Sequence, residues 1–430
     1  MEENTNYEML IRDMYKIYLY CIDSNNVKKF QTINNKYTTT DKAMLSIYIF
    51  LQLIEKENIN KEEAKKYIGN VLIKNLVNCS TGNFEVDIRD NSHIKIYNEV
   101  KNVVSEEKIQ YLNRTLEKLK INMEEIINEQ IEEIFSVCEK LAEIFILLQI
   151  YLTGNEFAYN FIIRKLNELK LNKNNYEDII ILFDEVVKVL DNKRKVIEIL
   201  KVNDIYKLVS VVFNLRDVNR FSQVHLIIPE NVLFHTYINA VMLYVMSDYL
   251  NENGEKVDKY ELIIKALFHD FSEYSGNEII SYMKVYSKET HDLFEQIEKA
   301  DEASLKELIG ENDFEIVKQY KEGFLGYIAD IIDKINGISK VLIELEYYNN
   351  LSMLKLFVAT ECKRFEKFYN YDRIESSKNK YFYTNLLKLH YIYIIERFMN
   401  NKEIMNMYFN SQEIEDIRKS IEEEKKNLIL

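Results

Sequence analysis

The near absence of chain-breaking residues constrains this sequence more than any other feature. Its 430 residues include one proline and nine glycines. Both residue types interrupt helices, whereas leucine, lysine and glutamate favour them. Apolar residues make up 47% of the chain, which is ample for a buried core. The sequence therefore predicts an almost entirely helical protein of roughly two or three domains, at about 100–200 residues each.

The charge of the chain limits the class of partner. The formal net charge is −14. Binding to nucleic acid without sequence preference requires clustered lysine and arginine, and only short mixed runs occur here. We therefore expect small-molecule or protein partners and no nonspecific nucleic-acid binding.

Cysteine spacing and hydropathy indicate the compartment. The four cysteines lie far apart and form no CxxC pair, which is typical of reduced thiols rather than of a thiolate zinc site. The N-terminal residues are acidic and polar, unlike a signal peptide. The most apolar run, 144–152, is far shorter than a membrane span. We expect a cytoplasmic protein that does not enter a membrane.

Apolar residues at helical spacing predict most of the elements. The predicted helices cover 7–22, 42–56, 61–77, 105–120, 124–152, 156–170, 231–249, 257–269 and 314–348, with further helices after 353. The stretch from Cys79 to Ser92 reads as a loop or strand. We predict three parts: a first domain over 1–200, a second over 201–352, and a helical C-terminal extension over 353–430.

Four residues of the second half form the sharpest chemical signal. In chain order they are His235, His269, Asp270 and Asp333. Imidazole nitrogen and carboxylate oxygen together suit a divalent ion such as Mn, Co, Fe, Ni or Zn, and such an ion can activate water and neutralise phosphoryl charge. A lone His-Asp dipeptide is a weak signal, but this ordered set on separate helices is a stronger one. Glu273 follows His269 by four residues, so a continued helical turn would put it on the same face for proton transfer.

These residues lie within a segment that resembles a known family. Residues 218–350 resemble the HD-domain superfamily, and most closely the bacterial YfbR-like 5′-deoxynucleotidases. The matching stretches are 218–221, 230–235, 267–273, 275–277, 329–334 and 340–345.

The resemblance implies roles for particular residues. It implies that the metal ligands are His235, His269, Asp270 and Asp333, with Asp330 as an alternative to Asp333. It also implies that Glu273 is the catalytic acidic residue and that Arg220 binds the substrate phosphate, for which a guanidinium is well suited. Asn277 stands where the family usually has an acidic residue that handles the sugar or the nucleophile. This departure puts the substrate in question.

The first half repeats the pattern without its ligands. Asp41 stands where the first histidine would be, Asn78 and Cys79 where His-Asp would be, and Glu139 where the last aspartate would be. We interpret the chain as two tandem HD-like domains, the first degenerate. Family members commonly form homodimers, so the tandem implies a pseudo-dimer within one chain, with a homodimer also possible.

Three functions remain open at this point. The first is a metal-dependent phosphohydrolase acting on nucleotides, most simply a 5′-deoxynucleotidase-like phosphomonoesterase. The second keeps the metal site but acts on a cyclic or signalling nucleotide. The third is a non-catalytic interaction protein on an HD fold, for example an inhibitor of a host or defence enzyme. Its partner would bind the first half or the C-terminal extension.

Overall fold

A computed structural model describes part of the chain. The described residues are 14–22, 25, 28–31, 36–56, 61–80, 129–170, 177–222, 224–252, 254–275, 287–289, 292–293, 296, 305–320, 322–348, 350, 352–353, 392, 406 and 410–426. The predicted helix over 105–120 and most of the predicted loop up to Ser92 lie outside them.

The described residues of the first half form helices and one antiparallel strand pair. In chain order its described elements are α1 over 14–22, β1 (Lys28–Gln31), β2 (Lys36–Thr38), α2 (Thr39–Lys56), α3 (Lys61–Ser80), α4 (Glu129–Leu152), α5 (Ala158–Lys170), α6 (Glu177–Lys188) and α7 (Lys193–Leu200). Helix α3 continues through Cys79 and Ser80, where the sequence predicted the start of a loop.

The second half contains the helices that carry the predicted ligands. Its described elements are α8 (Asp204–Asp217), α9 (Val232–Glu252), α10 (Lys259–Phe268), a 3-10 helix (Phe271–Ser275), α11 (Glu311–Lys318), α12 (Gly323–Tyr348) and α13 (Ser411–Lys426). The all-α prediction is confirmed, whereas the tandem arrangement and the domain boundaries stay predictions. No helix in the described part of the chain is long and apolar enough to cross a membrane.

Side-chain caps fix where several of these helices begin. The oxygen of Asn203 accepts a hydrogen bond from the backbone of Tyr206 at the start of α8. Asp258 accepts from the backbone of Tyr260 and Glu261 at the start of α10. Such caps satisfy backbone N–H groups that have no partner within the helix.

The apolar stripe over 314–348 is two helices and not the single helix that was predicted. Helix α11 ends at Lys318 and α12 begins at Gly323. Gly323 has a φ of 63°, a left-handed conformation that glycine adopts easily and that interrupts a right-handed helix. Apolar spacing alone does not report this break, because the stripe keeps its period across it.

Helix α9 forms the centre of the molecule. Of its 21 residues, 18 are buried, which is typical of a helix with no solvent-facing side. It packs against α2, α3, α8, α10 and α12. The central helix is therefore covered by elements of both halves.

The two halves share a continuous core. Its buried apolar residues run from Met14 to Ile343. The hydroxyl of Tyr48 on α2 donates to the carbonyl of Leu267 on α10, and the hydroxyl of Tyr237 on α9 donates to the carbonyl of Leu72 on α3 at 3.3 Å. A backbone carbonyl of each half thus accepts a hydrogen bond from a tyrosine of the other half.

A close approach of α3 and α9 gives a test of this packing. A Cβ added at Gly69 would lie 2.2 Å from a ring carbon of Tyr244, which is itself buried. We expect Gly69→Ala to lower the free energy of unfolding by about 1–3 kcal/mol, because the buried ring has little room to move. The matched control is Gly337→Ala on α12, where a Cβ would meet nothing within 4 Å. Denaturant unfolding should show the control unchanged or more stable, and equal effects of the two changes would contradict the close approach.

Candidate metal centre

The His-Asp dipeptide lies where α10 gives way to the 3-10 helix. His269 is the C-terminal cap of α10, and Asp270 connects it to Phe271. The Nδ1–H of His269 donates to the carbonyl of Ala266 at 2.7 Å, because a carbonyl can only accept. This bond fixes the ring so that Nε2 points towards Asp270, whose Oδ2 lies 2.9 Å away.

His235 brings a second imidazole to the same point from α9. The side chain is fully buried, and its Nδ1 lies 3.5 Å from Oε1 of Glu230. Its Nε2 lies 2.8 Å from Oδ1 of Asp333 on α12 and 3.7 Å from Oδ2 of Asp270. Three separate helical elements thus supply the donors.

The four predicted ligands converge. Ligand atoms of His235, His269 and Asp270 all lie within 4.8 Å of one another. Asp333 joins them, since its Oδ1 lies 2.8 Å from His235 Nε2 and 3.9 Å from His269 Nε2. This placement beside both rings favours Asp333 over Asp330 as the fourth donor.

The donor set fits a divalent ion. In protein metal sites, each histidine ligand usually donates its second ring nitrogen to a carbonyl or carboxylate, which sets the ring orientation. His269 has that arrangement through Ala266, and Nδ1 of His235 faces Oε1 of Glu230 at 3.5 Å without forming a hydrogen bond. Two imidazole nitrogens with two carboxylates suit hard or borderline divalent ions such as Mn, Fe, Co, Ni or Zn.

The ionisable side chains of this buried site shift one another's pKa values. Burial alone would lower the pKa of His269, but the carboxylates of Asp270 and Asp333 raise it to about 9. Burial would raise the pKa of Asp270, yet His269 beside it lowers that pKa below its usual range. The pKa of Asp333 is also lowered against burial, through its hydrogen bond with His235 and the charge of Lys334. Both carboxylates are therefore available as anionic donors.

Arg220 borders the same site. An isolated bridge pairs Asn219 with Asn231, and the backbone N–H of Arg220 donates to the carbonyl of Glu230 at 2.9 Å. Nη1 of Arg220 also lies 3.5 Å from Oε1 of Glu230. Phe221, the next residue, has a φ of 55°, an uncommon conformation for an aromatic residue that turns the chain away after the arginine.

Carboxylates on several elements affect the pKa of Arg220. Burial alone would lower its pKa, but Glu230 raises it, followed by Asp270 and Asp333. Glu273 adds to the same effect. The guanidinium is therefore held in the charged form close to the proposed metal ligands.

A buried ion pair fixes the loop that precedes α9. Nζ of Lys340 lies 2.9 Å from Oε1 of Glu344, and both side chains are at most 1% exposed. The Glu344 carboxylate also accepts from the backbone N–H groups of Ile227 and Ile228 at 3.0 and 2.9 Å. Lys340 in turn donates to the carbonyl of Ile228. This pair anchors the chain two residues before Glu230, and so positions Glu230 against His235.

The structure differs from the sequence analysis at Glu273. The helix does not continue as an α-helix past His269, and a 3-10 helix follows instead. Glu273 is half-buried, and its backbone N–H donates to the carbonyl of Asp270 at 3.0 Å. Asn277 lies outside the described residues.

Several site residues were missed by the sequence analysis. Glu230 was noted only as part of a matching stretch, and Tyr18 on α1 donates to it at 3.3 Å. Tyr320 stacks on His269, with ring centroids 5.4 Å apart at 23°. Asn239, one turn after His235, contacts both imidazoles. A polar residue at i+4 from a candidate ligand in an otherwise apolar helix was the one available signal.

The corresponding positions of the first half have other contacts. Oδ2 of Asp41 accepts from the backbone N–H of Thr38 at 2.8 Å and lies 3.3 Å from Nε of Arg216 on α8. Glu139 lies 3.2 Å from Nζ of Lys42. The side chains of Asn78 and Cys79 lie outside the described ones. Asp41 and Glu139 thus serve ion pairs here, while the origin of the half by duplication stays a prediction.

Comparison with known proteins finds one match, which lies in the second half. Residues 207–390 match the family model described as 5′-deoxynucleotidase YfbR-like. The match confirms the resemblance to this HD-domain family for that segment, and it extends past residue 352. Comparisons with curated proteins and with solved structures found no match.

The buried Lys340–Glu344 pair can be tested by removing one charge. We expect Glu344→Gln to lower the free energy of unfolding by about 3–5 kcal/mol, because it leaves a lysine charge buried without its counterion. Glu198→Gln is the control, since Glu198 and Arg194 form an i,i+4 pair that is 60% and 90% exposed. The control should change stability by less than about 1 kcal/mol in urea unfolding. A Glu344 variant as stable as the control would refute the anchoring role.

The raised pKa of His269 predicts a pH dependence of stability in protein freed of metal. A histidine whose folded pKa of about 9 exceeds its ordinary value of 6.5 stabilises the fold fully below about pH 6.5. That contribution is lost as the pH rises through about 9. We expect the free energy of unfolding to fall by on the order of 3 kcal/mol over this window. Urea unfolding with chelator at each pH would measure the fall, and His269→Gln should flatten it. If His269→Gln showed the same fall in the free energy of unfolding, the pH dependence would come from groups other than His269.

Proposed function

We propose, taking the YfbR-like match of residues 207–390 as the premise, that this chain is a metal-dependent phosphohydrolase of nucleotides. The simplest substrate is a deoxynucleoside 5′-monophosphate, and the products are inorganic phosphate and the deoxynucleoside. The observation that carries the proposal is the convergence of two imidazoles and two carboxylates, with a buried arginine beside them.

His235, His269, Asp270 and Asp333 would hold the ion. A divalent ion bound there would lower the pKa of a water molecule and neutralise phosphoryl charge. The chain shields the imidazole side of the site from water, because His235 and His269 are at most 3% exposed, whereas Asp270 and Asp333 are 22% and 23% exposed. In such surroundings each electrostatic contact with a phosphate is stronger than in water.

Arg220 would bind the phosphate. Nη1 of Arg220 is buried and makes no hydrogen bond to any described residue, although it lies near Glu230. A buried guanidinium nitrogen without an acceptor is costly, and a phosphate oxygen would supply one. Glu230 also contacts His235, so the same carboxylate would orient the phosphate-binding arginine and one metal ligand.

Glu273 would move the proton. Its position three residues after Asp270, joined by a backbone hydrogen bond, keeps it next to the His-Asp pair. A carboxyl group there could receive a proton from the attacking water and deliver it to the 5′ oxygen that leaves. By the resemblance to the family, Asn277 would take the position that handles the sugar or the nucleophile.

A phosphate-release assay on the full chain tests the proposal. With Mn²⁺ or Co²⁺ added, deoxynucleoside monophosphates should release phosphate, and ribonucleotides and, with phosphatase coupling, cyclic nucleotides are the comparison substrates. We expect Asp270→Asn to lower kcat/KM by at least ~10³-fold. Arg220→Lys should lower it by about 10–100-fold, because lysine does not reproduce the guanidinium fork.

The assay needs a control variant outside the proposed site. Asp184→Asn removes an aspartate of α6 that pairs with Lys170 away from the site, and it should leave turnover unchanged. Turnover of cyclic nucleotides alone would replace the monoesterase proposal with a phosphodiesterase. Absence of turnover and of bound metal would favour the interaction protein. The homodimer and the protein partner stay predictions that the proposed activity does not require.

A further inference from the structure

Asn239 lies among the proposed metal ligands although nothing in the ligand pattern assigns it a role. It is on α9, one turn after His235, and is 1% exposed. The terminal nitrogen position of its carboxamide lies 2.8 Å from His235 Nε2, 3.1 Å from His269 Nε2 and 3.4 Å from Asp333 Oδ1. One amide end thus faces three of the proposed donor atoms at once.

These distances are close to the separation expected between two adjacent ligand atoms on the same metal ion. Two ligands at right angles on an ion with bonds of about 2.1 Å lie about 3.0 Å apart. The donor pairs His235–Asp333 and His269–Asp270 have this spacing, at 2.8 and 2.9 Å. Asn239 approaches three donors at nearly the same distance. A residue that only filled space behind the site would have no reason to approach all three so closely.

The chemistry of the amide decides which end can serve. An amide NH₂ only donates hydrogen bonds, whereas the oxygen has lone pairs for a cation. Carbonyl oxygen is a donor that hard ions such as Mn²⁺ and Mg²⁺ accept well. An ion at the histidines would therefore turn the oxygen of Asn239 towards the site and its NH₂ away from it.

Asn336 is placed to accept that NH₂. It lies on α12 three residues after Asp333, is 1% exposed, and its own NH₂ donates to Oδ1 of Asn239. Oδ1 of Asn336 is buried and has no hydrogen-bond partner among the described residues. With both amides turned over, this oxygen would accept from Asn239. The pair therefore allows either end of Asn239 to face the site.

We propose that Asn239 is a further metal-binding residue, whose carboxamide oxygen joins the four donors of His235, His269, Asp270 and Asp333. This inference rests on the proposed metal-dependent function. It adds an uncharged hard oxygen to the set, and so shifts the preference of the site from Zn²⁺ towards Mn²⁺.

The test measures metal binding rather than turnover. Mn²⁺ affinity and the water-proton relaxation rate of bound Mn²⁺ would be measured on the full metal-free chain. We expect Asn239→Val to weaken Mn²⁺ binding by about 10–100-fold. The water-proton relaxation rate of Mn²⁺ bound to this variant should rise, because a water molecule takes the position that the amide oxygen leaves. Asn239→Asp, which keeps an oxygen donor, should bind Mn²⁺ at least as tightly as the unmodified chain, with an unchanged relaxation rate.

Two further variants complete the test. Ser247→Ala removes another buried polar group of α9, whose hydroxyl bonds only the carbonyl of Tyr244 at 2.6 Å, and should leave both readings unchanged. Should Asn239→Val not fold, Asn239→Ser replaces it, since serine is too short to reach the ion and leaves room for water.

The outcomes separate this inference from the function on which it rests. Normal Mn²⁺ affinity and relaxation in Asn239→Val, or in Asn239→Ser, overturns the role of Asn239 and leaves the metal site intact. Failure of the unmodified chain to bind any divalent ion overturns both proposals together.

Discussion

Helix α9 has no side that faces water, and the rest of the structure follows from the need to cover it. An isolated helix of this kind would expose apolar surface all round, so helices must surround it. The first half supplies α2 and α3, and the second supplies α8, α10 and α12. Because α9 carries His235, the element that requires the most burial also holds a proposed metal ligand that is fully buried.

Burial of charge explains the layout of the site. A charge in an apolar interior is costly unless it is paired and hydrogen-bonded. The proposed centre pairs two imidazoles with Asp270 and Asp333, and it places Arg220 beside the Glu230 carboxylate at 3.5 Å. The Lys340–Glu344 pair meets this condition with backbone groups of the preceding loop. Each buried charge therefore also fixes a segment that the site needs.

The sequence predicts those parts of the fold that depend on period and local chemistry. Helices α4 and α5 repeat apolar residues at helical spacing, and the His-Asp dipeptide is visible as two adjacent ligand types. The contact of Tyr18 with Glu230 spans 212 residues, so no local pattern reports it. The break before Gly323 was missed because a left-handed φ leaves the apolar period unchanged. Asn239 was missed because its spacing of four residues from His235 does not report its contacts with His269 and Asp333, which lie on other elements.

Tyr48 connects the first half to this chemistry at a backbone atom. Its hydroxyl bonds the carbonyl of Leu267, two residues before His269, and its ring packs on Phe268 and Phe271 on either side of the His-Asp pair. The first half thus packs against the residues that hold the His-Asp pair of the second half in place. Natural selection can act on such a segment through its shape alone, so a segment without metal ligands of its own can still be indispensable to the site.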